Sequence, residues 1–453
     1  MRFPFSQLAA LGLSLTLAAC GRNSSSEQQT AATPPASDPA QNTAQAAALL
    51  TPGPWRGLLE MQEQMLPFSF EVKTEDNKPV AYLINPGLNG EERLRCPDIT
   101  AAGDSAVIRL HVFDAALVVR GAGPGQLKGT WVKYDAKKPY RVPLTAMTAE
   151  VALAASATQP VSEREVGNFG GTWRVTFKDE TGKTYPAVGV FKANPDKAKV
   201  GQYAGTFLTT TGDYRYLTGN ASRANLTLST FDGNHAFIFS GKEEGNNSTK
   251  PISKISGDFY AGKSGHETWT AVRDDKAKLP DADTLTYLKK GESRLSFSFP
   301  SIAAGQRISP TDAKYRGKVV VLQILGSWCP NCMDETAFLA PWYAANKARG
   351  VEVIGLGYER SPEYEKAAGR LRKLKERYDI GYELAVAGVS DKDSVARSLP
   401  QLAKFLAFPT TIFLDKKGAV RAIRTGFSGP GTGTYYEAEK AHFNRTVDKL
   451  LRE

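Results

Sequence analysis

The chain has 453 residues, 41% of them hydrophobic, with 57 Lys plus Arg against 47 Asp plus Glu and a formal charge of +10. That length and apolar content suit two or three ordinary folded domains and exclude a wholly disordered chain. The positive charge is spread along the sequence rather than gathered into one arm, and no nucleic-acid-binding motif accompanies it, which argues against a nucleic-acid partner.

In chain order, the first feature is a short apolar run from Leu8 to Ala19, preceded by one charged side chain, Arg2. Spanning a bilayer takes about 20 residues, so the run reads as the apolar core of a signal peptide. It ends in Leu17-Ala18-Ala19-Cys20, which resembles the lipobox of bacterial lipoproteins. The resemblance implies a signal peptide over residues 1–19 and lipidation at Cys20, whose thiol then takes no part in redox chemistry. An uncleaved anchor with a chance cysteine is the alternative. Residues 20–54 follow. From Gly21 to Pro54 there is no aromatic residue, and the only charges are Arg22, Glu27 and Asp38. Such a stretch cannot bury a core and reads as a disordered tether reaching roughly 30 Å. The expected location is extracytoplasmic, as a membrane-anchored lipoprotein facing the periplasm or cell envelope.

The next region is read as all-β, in two repeats over 55–150 and 167–285. Leu66, Phe68, Phe70 and Val72 alternate on one strand face, and turn signals recur at Asn89-Gly90, Thr181-Gly182 and Asp232-Gly233. Trp55-Arg56 matches Trp173-Arg174, and Phe113-Asp114 matches Phe231-Asp232, both at a spacing of 118; Gly129-Thr130-Trp131 matches Gly257-Asp258-Phe259 at 128. A longer loop near Gly245-Asn246-Asn247-Ser248 accounts for the difference. Recurrence of this kind indicates two copies of one β-meander, each sized for a small barrel or sandwich, or together closing one larger barrel. The stretch Ala149 to Gly167 is the expected joint. Trp55, Trp131 and Trp173 read as core more than as a ligand-cavity lining, and Cys96 as a buried or free thiol more than as a third redox partner. His111, placed in an alternating strand, and His235, near a turn, show no evident partner. The region is expected to position the C-terminal domain or to select its protein partner.

Residues 292–453 have an α/β texture. Val319 to Leu325 is a near-continuous apolar run, the pattern of a central buried strand. Trp328-Cys329-Pro330-Asn331-Cys332 follows, then a helix that Pro341 is expected to kink or stop near Ala340. A strand at Val351 to Leu356 comes next, then a helix from about Pro362 to Tyr378. Its cluster of Arg370, Arg372, Lys373, Lys375 and Arg377 reads as a solvated basic face, weakly attracted to anionic lipid headgroups. A strand near Tyr382 to Ala387, a helix over Asp393 to Phe405, a hairpin of Thr410 to Leu414 with Ala419 to Arg424, and a terminal helix from about Tyr435 complete the set.

Two cysteines separated by two residues, where a strand hands over to a helix, suit dithiol–disulfide exchange. The helix N-terminus supplies unpaired N–H groups and partial positive charge, which favour thiolate at Cys329, the attacking form. Cys332, one turn later, can resolve a mixed disulfide. A zinc half-site would want four ligands, and no His stands at ligand spacing; a structural disulfide across so short a loop would gain little.

Several motifs together make this segment similar to thioredoxin-like domains of the TlpA/ResA type. Gly317-Lys318-Val319-Val320-Val321 leads into the cysteines, Glu335 completes C-x-x-C-x-x-E, and Phe408-Pro409-Thr410-Thr411-Ile412-Phe413-Leu414 resembles the cis-proline strand, followed by the turn Asp415-Lys416-Lys417-Gly418. The resemblance implies an α/β thioredoxin-like domain acting as a disulfide reductase, so that with the all-β region before it the chain reads as multidomain. In it Cys329 is the exposed nucleophile, Cys332 the resolving thiol, Glu335 a buried acid that tunes the thiols, Pro409 a cis proline facing them, and Trp328 a flank of the nucleophile. Gln323 stands where thioredoxins carry a buried Asp, which shifts acid–base duty to Glu335. The implied partners are disulfide-bearing proteins and a membrane electron donor of thiol-disulfide type, with no cofactor, since no flavin or nicotinamide motif is present. Two other readings stand beside it: a thiol peroxidase, opposed by Leu322 and Gly326 at its Pro and Thr positions, and a β-domain binding lipoprotein with an auxiliary redox domain.

Overall fold

A computed structural model describes residues 48–88, 90–136, 138–155, 166–245 and 252–453. The expected signal peptide, the lipidation site Cys20 and the tether up to residue 47 lie outside the described residues, as do Asn89, Asn246 to Ser248 and residues 156–165 of the expected joint. The described end of the tether is ordered against the body. Leu50 is buried, and Gly53 and Pro54 already belong to the first strand.

That strand opens a sheet of nine among the described residues: β1 (Gly53–Met61), β2 (Gln64–Glu75), β3 (Lys78–Gly87), β4 (Gly90–Cys96), β5 (Ile99–Ala102), β6 (Ser105–Arg109), β7 (Ala115–Gly123), β8 (Gln126–Lys133) and β9 (Tyr140–Thr148). On β2 the alternation is complete. Leu66, Phe68, Phe70 and Val72 are buried, while the residues between them face outward. Each strand pairs antiparallel with its neighbour in sequence, and β1 pairs with β9, but β4 and β5 do not pair. The sheet is a barrel left open along one seam. A short helix, Ala149–Ala155, follows it.

The second sheet repeats the plan and closes it. Its strands are β10 (Gly171–Asp179), β11 (Thr184–Ala193), β12 (Gln202–Thr209), β13 (Gly212–Asp213), β14 (Leu217–Ala221), β15 (Asn225–Phe231), β16 (Ala236–Glu243), β17 (Lys254–Ala261) and β18 (Gly265–Arg273). Here β12 pairs with both β11 and β14, so the ring has no open edge, and β13 is a two-residue appendage on β12. A packed aromatic cluster including Phe177, Phe207, Phe239, Phe259 and Trp269 fills the inside. The duplication is visible in geometry. Trp55 Nε1 donates to Thr51 O at 2.9 Å, and Trp173 Nε1 donates to Phe169 O at 3.0 Å, each four residues back. Trp55, Trp131 and Trp173 are core residues.

The open sheet completes its core with side chains from the closed one. Phe231 packs edge-on against Phe68 and Trp131, at centroid distances of 4.9 and 5.0 Å, and Trp131 Nε1 donates to Gly233 O at 3.2 Å. Cys96 is fully buried and accepts from His111 N at 3.3 Å; burial pushes its thiol up to about 11. His111 lies in the β6–β7 turn with φ 49°, not in a strand.

The C-terminal region carries a five-stranded sheet in the order Glu383–Val389, Val351–Glu359, Val319–Leu325, Thr410–Leu414, Val420–Thr425. The first three strands are parallel, Thr410–Leu414 runs antiparallel to the central strand, and Val420–Thr425 runs antiparallel to Thr410–Leu414, the layout of a thioredoxin-like fold. Every residue of Val319–Leu325 is buried. Val319 and Val321 pack with the helices Pro330–Asn346, Tyr364–Arg377 and Thr434–Arg452, whereas Val320, Leu322 and Ile324 pack with Val395, Leu399 and the incoming Leu295 and Phe297. No described helix is long and apolar enough to cross a membrane.

Three further expectations need correction in this region. The helix after the cysteines neither stops nor breaks at Ala340 but runs through Pro341 to Asn346. Burial of Leu339, Ala340, Trp342 and Tyr343 on both sides of the proline offsets the missing backbone bond. The segment Asp393 to Phe405 is helical only over Lys392–Ser398; Pro400 disfavours helical backbone at Leu399, and Leu402–Lys404 becomes a strand paired with Tyr287–Leu288. The basic face of Tyr364–Arg377 is not a free surface. Arg370 pairs with Asp114, Lys373 with Asp98 at 3.5 Å, and Arg377 Nε donates to His111 Nδ1 at 3.1 Å, so this face docks on the open sheet.

Candidate active site

The strand Val319–Leu325 ends at the loop Gly326 to Trp328, and Pro330 begins the helix where its lack of N–H costs nothing. A buried carboxylate fixes the loop. Glu359 accepts from Ser327 N at 2.8 Å and from Ser327 Oγ at 2.7 Å. Trp328 Nε1 donates to Tyr358 O at 2.8 Å; its ring meets Phe408 edge-on and carries the Arg360 guanidinium 5.2 Å from its centroid. Cys329 is the N-cap of the helix, and its Sγ accepts from Cys332 N at 3.3 Å. Phe408 O lies 3.8 Å from the same sulfur, and the Phe408–Pro409 peptide is cis.

Behind this pair, Cys332 is fully buried, and burial together with its sulfur neighbour pushes its thiol well above the ordinary cysteine value. Glu335 is buried one turn further in. Gln323 Nε2 donates to its Oε2 at 2.9 Å, and Thr411 Oγ1 donates to its Oε1. Tyr382 OH donates to Gln323 Oε1 at 3.0 Å and so fixes the amide. Burial raises the Glu335 carboxyl to about 7, against these donors, and its charge in turn raises Cys332. The neutral amide of Gln323, at the position where thioredoxins carry an Asp, thus orients Glu335. A polar side chain in a wholly apolar strand was the sequence signal for it.

Cys329 is not exposed: it retains 6% of its surface. Residues of the closed barrel bond to the residues on either side of it. Asn234 Nδ2 donates to Trp328 O at 2.6 Å, and Asn331 Nδ2 donates to Asp213 O at 3.1 Å. Arg215, itself 5% exposed and with φ 56°, sends Nε and Nη2 to the two carboxylate oxygens of Asp334, both at 2.7 Å. Its Nη2 also pairs with Glu92, and Nη1 lies 3.6 Å from Asp232. Asp213 accepts from Gly429 N at 2.8 Å, and burial, with the Asp334 charge, lifts its carboxyl to about 7. No local pattern in the sequence marks Arg215, Asp213 or Asn234, because each reaches the dithiol across more than 90 residues of chain.

Residues 289–440 match the Redoxin family model, about a third of the chain. Among curated proteins, the chain is 29% identical over 112 residues to "Thiol-disulfide oxidoreductase ResA" of Geobacillus kaustophilus, covering 25% of this chain and 57% of that one. It is 24% identical over 139 residues to "Thioredoxin-like protein YneN" of Bacillus subtilis, covering 31% and 73%. Among solved structures, a putative thiol:disulfide interchange protein DsbE from Chlorobium tepidum aligns at 21% identity over 34% of this chain and 98% of its own, with a TM-score of 0.26. The C-terminal region is therefore a thioredoxin-like redoxin domain. The chain spans just over half of the first relative's length, and the match leaves out both β sheets.

Proposed function

We propose that the chain is an extracytoplasmic thiol-disulfide oxidoreductase, held at a membrane through lipidated Cys20, that reduces disulfides of specific protein partners. The observation that supports this most is the pairing of a helix-capping Cys329 with a buried Cys332 and the buried acid Glu335. In the reaction, Cys329 attacks one sulfur of a substrate disulfide. That S–S bond breaks, a mixed disulfide forms, and one substrate thiolate leaves. The Cys332 N–H and the helix N-terminus stabilise the attacking sulfur. Cys332 then gives its proton to Glu335 and displaces the second substrate sulfur from Cys329. Two electrons have passed to the substrate, and Cys329–Cys332 is left as a disulfide. A membrane donor of thiol-disulfide type returns those electrons. Trp328 and Pro409 border the nucleophile and shape where the substrate chain lies.

The test is insulin disulfide reduction with a dithiol regenerant, beside peroxide consumption. Loss of insulin reduction in Cys329→Ser supports the reading. Peroxide turnover that survives Cys332→Ser would replace it with a peroxidase, and activity indifferent to both substitutions would leave the redox site auxiliary to the β sheets.

A further inference from the structure

Cys329 keeps only 6% of its surface, which hinders the in-line approach of a substrate disulfide, and the surroundings of this residue are specific. Two segments of the closed barrel lie against the site: Thr209 to Tyr216, bearing Asp213 and Arg215, and the turn Asp232 to His235, bearing Asn234. They bond to the residues on either side of the nucleophile, Trp328 and Asn331, and to Asp334 beyond it. The approach is close because two glycines permit it. A Cβ at Gly212 would lie 2.9 Å from Asn331 Nδ2, and one at Gly431 would lie 2.7 Å from the backbone carbonyl carbon of Arg215. Glycine at these positions lets the barrel segment and the redoxin domain come this close.

We propose that the closed barrel is a substrate-selecting gate over the dithiol, with the Arg215–Asp334 pair as its catch. This rests on the exchange chemistry assigned to Cys329. The structure is the shut state. Exchange requires the two barrel segments to lift, breaking the bidentate pair and the two asparagine bonds. Arg215 is a positioning residue, acting through Asp334 on the helix that carries Cys332. Three carboxylates, Glu92, Asp232 and Asp334, share this one guanidinium, so the catch is an ion cluster rather than an apolar seal. A buried ion pair offsets much of its attraction by desolvation, which makes it easier to part than an equal area of packed core. A partner that engages the barrel gains access to the sulfur, and a small thiol reagent without such contacts does not.

The experiment follows alkylation of Cys329 by iodoacetamide in the reduced full chain, resolved by peptide mass spectrometry. Arg215→Lys keeps the charge among the three carboxylates but loses the fork that grips Asp334. It should speed alkylation about tenfold, the shift that about 1.4 kcal/mol makes in an equilibrium, and raise insulin reduction in parallel. Asn234→Ala, outside the ion cluster, should give a smaller increase of the same sign. Circular dichroism and urea midpoints identify a variant that has merely lost its fold, and Asn234→Ala then carries the test. Equal alkylation rates in wild type and both variants would overturn the gate. If insulin reduction still depends on Cys329 in that case, the exchange reading stands without the gate; if it does not, the exchange reading itself has failed.

Discussion

The two β repeats share a plan and differ in one strand. After the third strand, the first copy spends seven residues on β4, a full hairpin partner that ends at Cys96, whereas the second spends two on β13. The long β4 occupies the edge of β3 that would otherwise receive β5, so the first sheet stays open. In the second copy the edge of β12 is free for β14, and the ring closes. Closure decides what each copy does. The closed barrel fills itself with its own aromatics, while the open sheet takes Phe231 from its neighbour. Equivalent turns then meet the redoxin domain in different places. Phe113-Asp114 leads to Arg370 on the helix Tyr364–Arg377, and Phe231-Asp232 leads to Trp328 and the dithiol. One copy is a mount and the other a cover.

The sharpest way to break this comparison is Phe231→Ala. If Phe231 plugs the open sheet, its removal leaves a cavity between Phe68 and Trp131 and should cost about 3–5 kcal/mol by urea unfolding, with Trp131 fluorescence shifted. A loss under about 1 kcal/mol, with unchanged fluorescence, would mean the open sheet is sound without it.

A second probe sits in the redoxin body against which both copies pack. Glu335 holds its proton to about 7 in the folded chain, against 4.5 unfolded. The folded state therefore binds more protons between those values, and stability should fall as pH rises through that window, by a total of about 3 kcal/mol. Glu335→Gln should flatten that slope in urea midpoints taken from pH 4.5 to 8. An unchanged slope would show that Glu335 is ionised throughout.

Smaller effects test whether the copies are equal where their geometry is equal. Trp55→Phe and Trp173→Phe each strip one indole N–H from a backbone carbonyl and should each cost about 1 kcal/mol; a threefold difference would deny the equivalence. Arg370→Ala removes a half-exposed pair with Asp114 and should cost under about 1 kcal/mol, less at high salt.

Local pattern carried much of this to the reader of the sequence. The apolar run Val319–Leu325, the spacing of Cys329 and Cys332 and the alternation of β2 each report their own environment, and the structure places them in a buried strand, a helix cap and a half-buried sheet. The Trp55 and Trp173 match disclosed the duplication. Periodicity could not disclose what meets a face. Arg370, Lys373 and Arg377 read as solvated because nothing nearby in sequence says that Asp114, Asp98 and His111 come to them. Burial of Cys329 was hidden for the same reason, since Asp213 and Asn234 are distant in sequence. Whether a sheet closes depends on competition for one strand edge, which alternation does not encode.

The central claim is that Cys329 captures a substrate sulfur and Cys332 releases it. Its most direct test is to mix Cys332→Ser with reduced-and-reoxidised insulin and look, on a non-reducing gel and by mass spectrometry, for a mixed disulfide at Cys329. The account predicts that this adduct accumulates, disappears with dithiothreitol and is absent from the Cys329→Ser, Cys332→Ser double variant. Absence of any adduct at Cys329 while wild type still reduces insulin would contradict it.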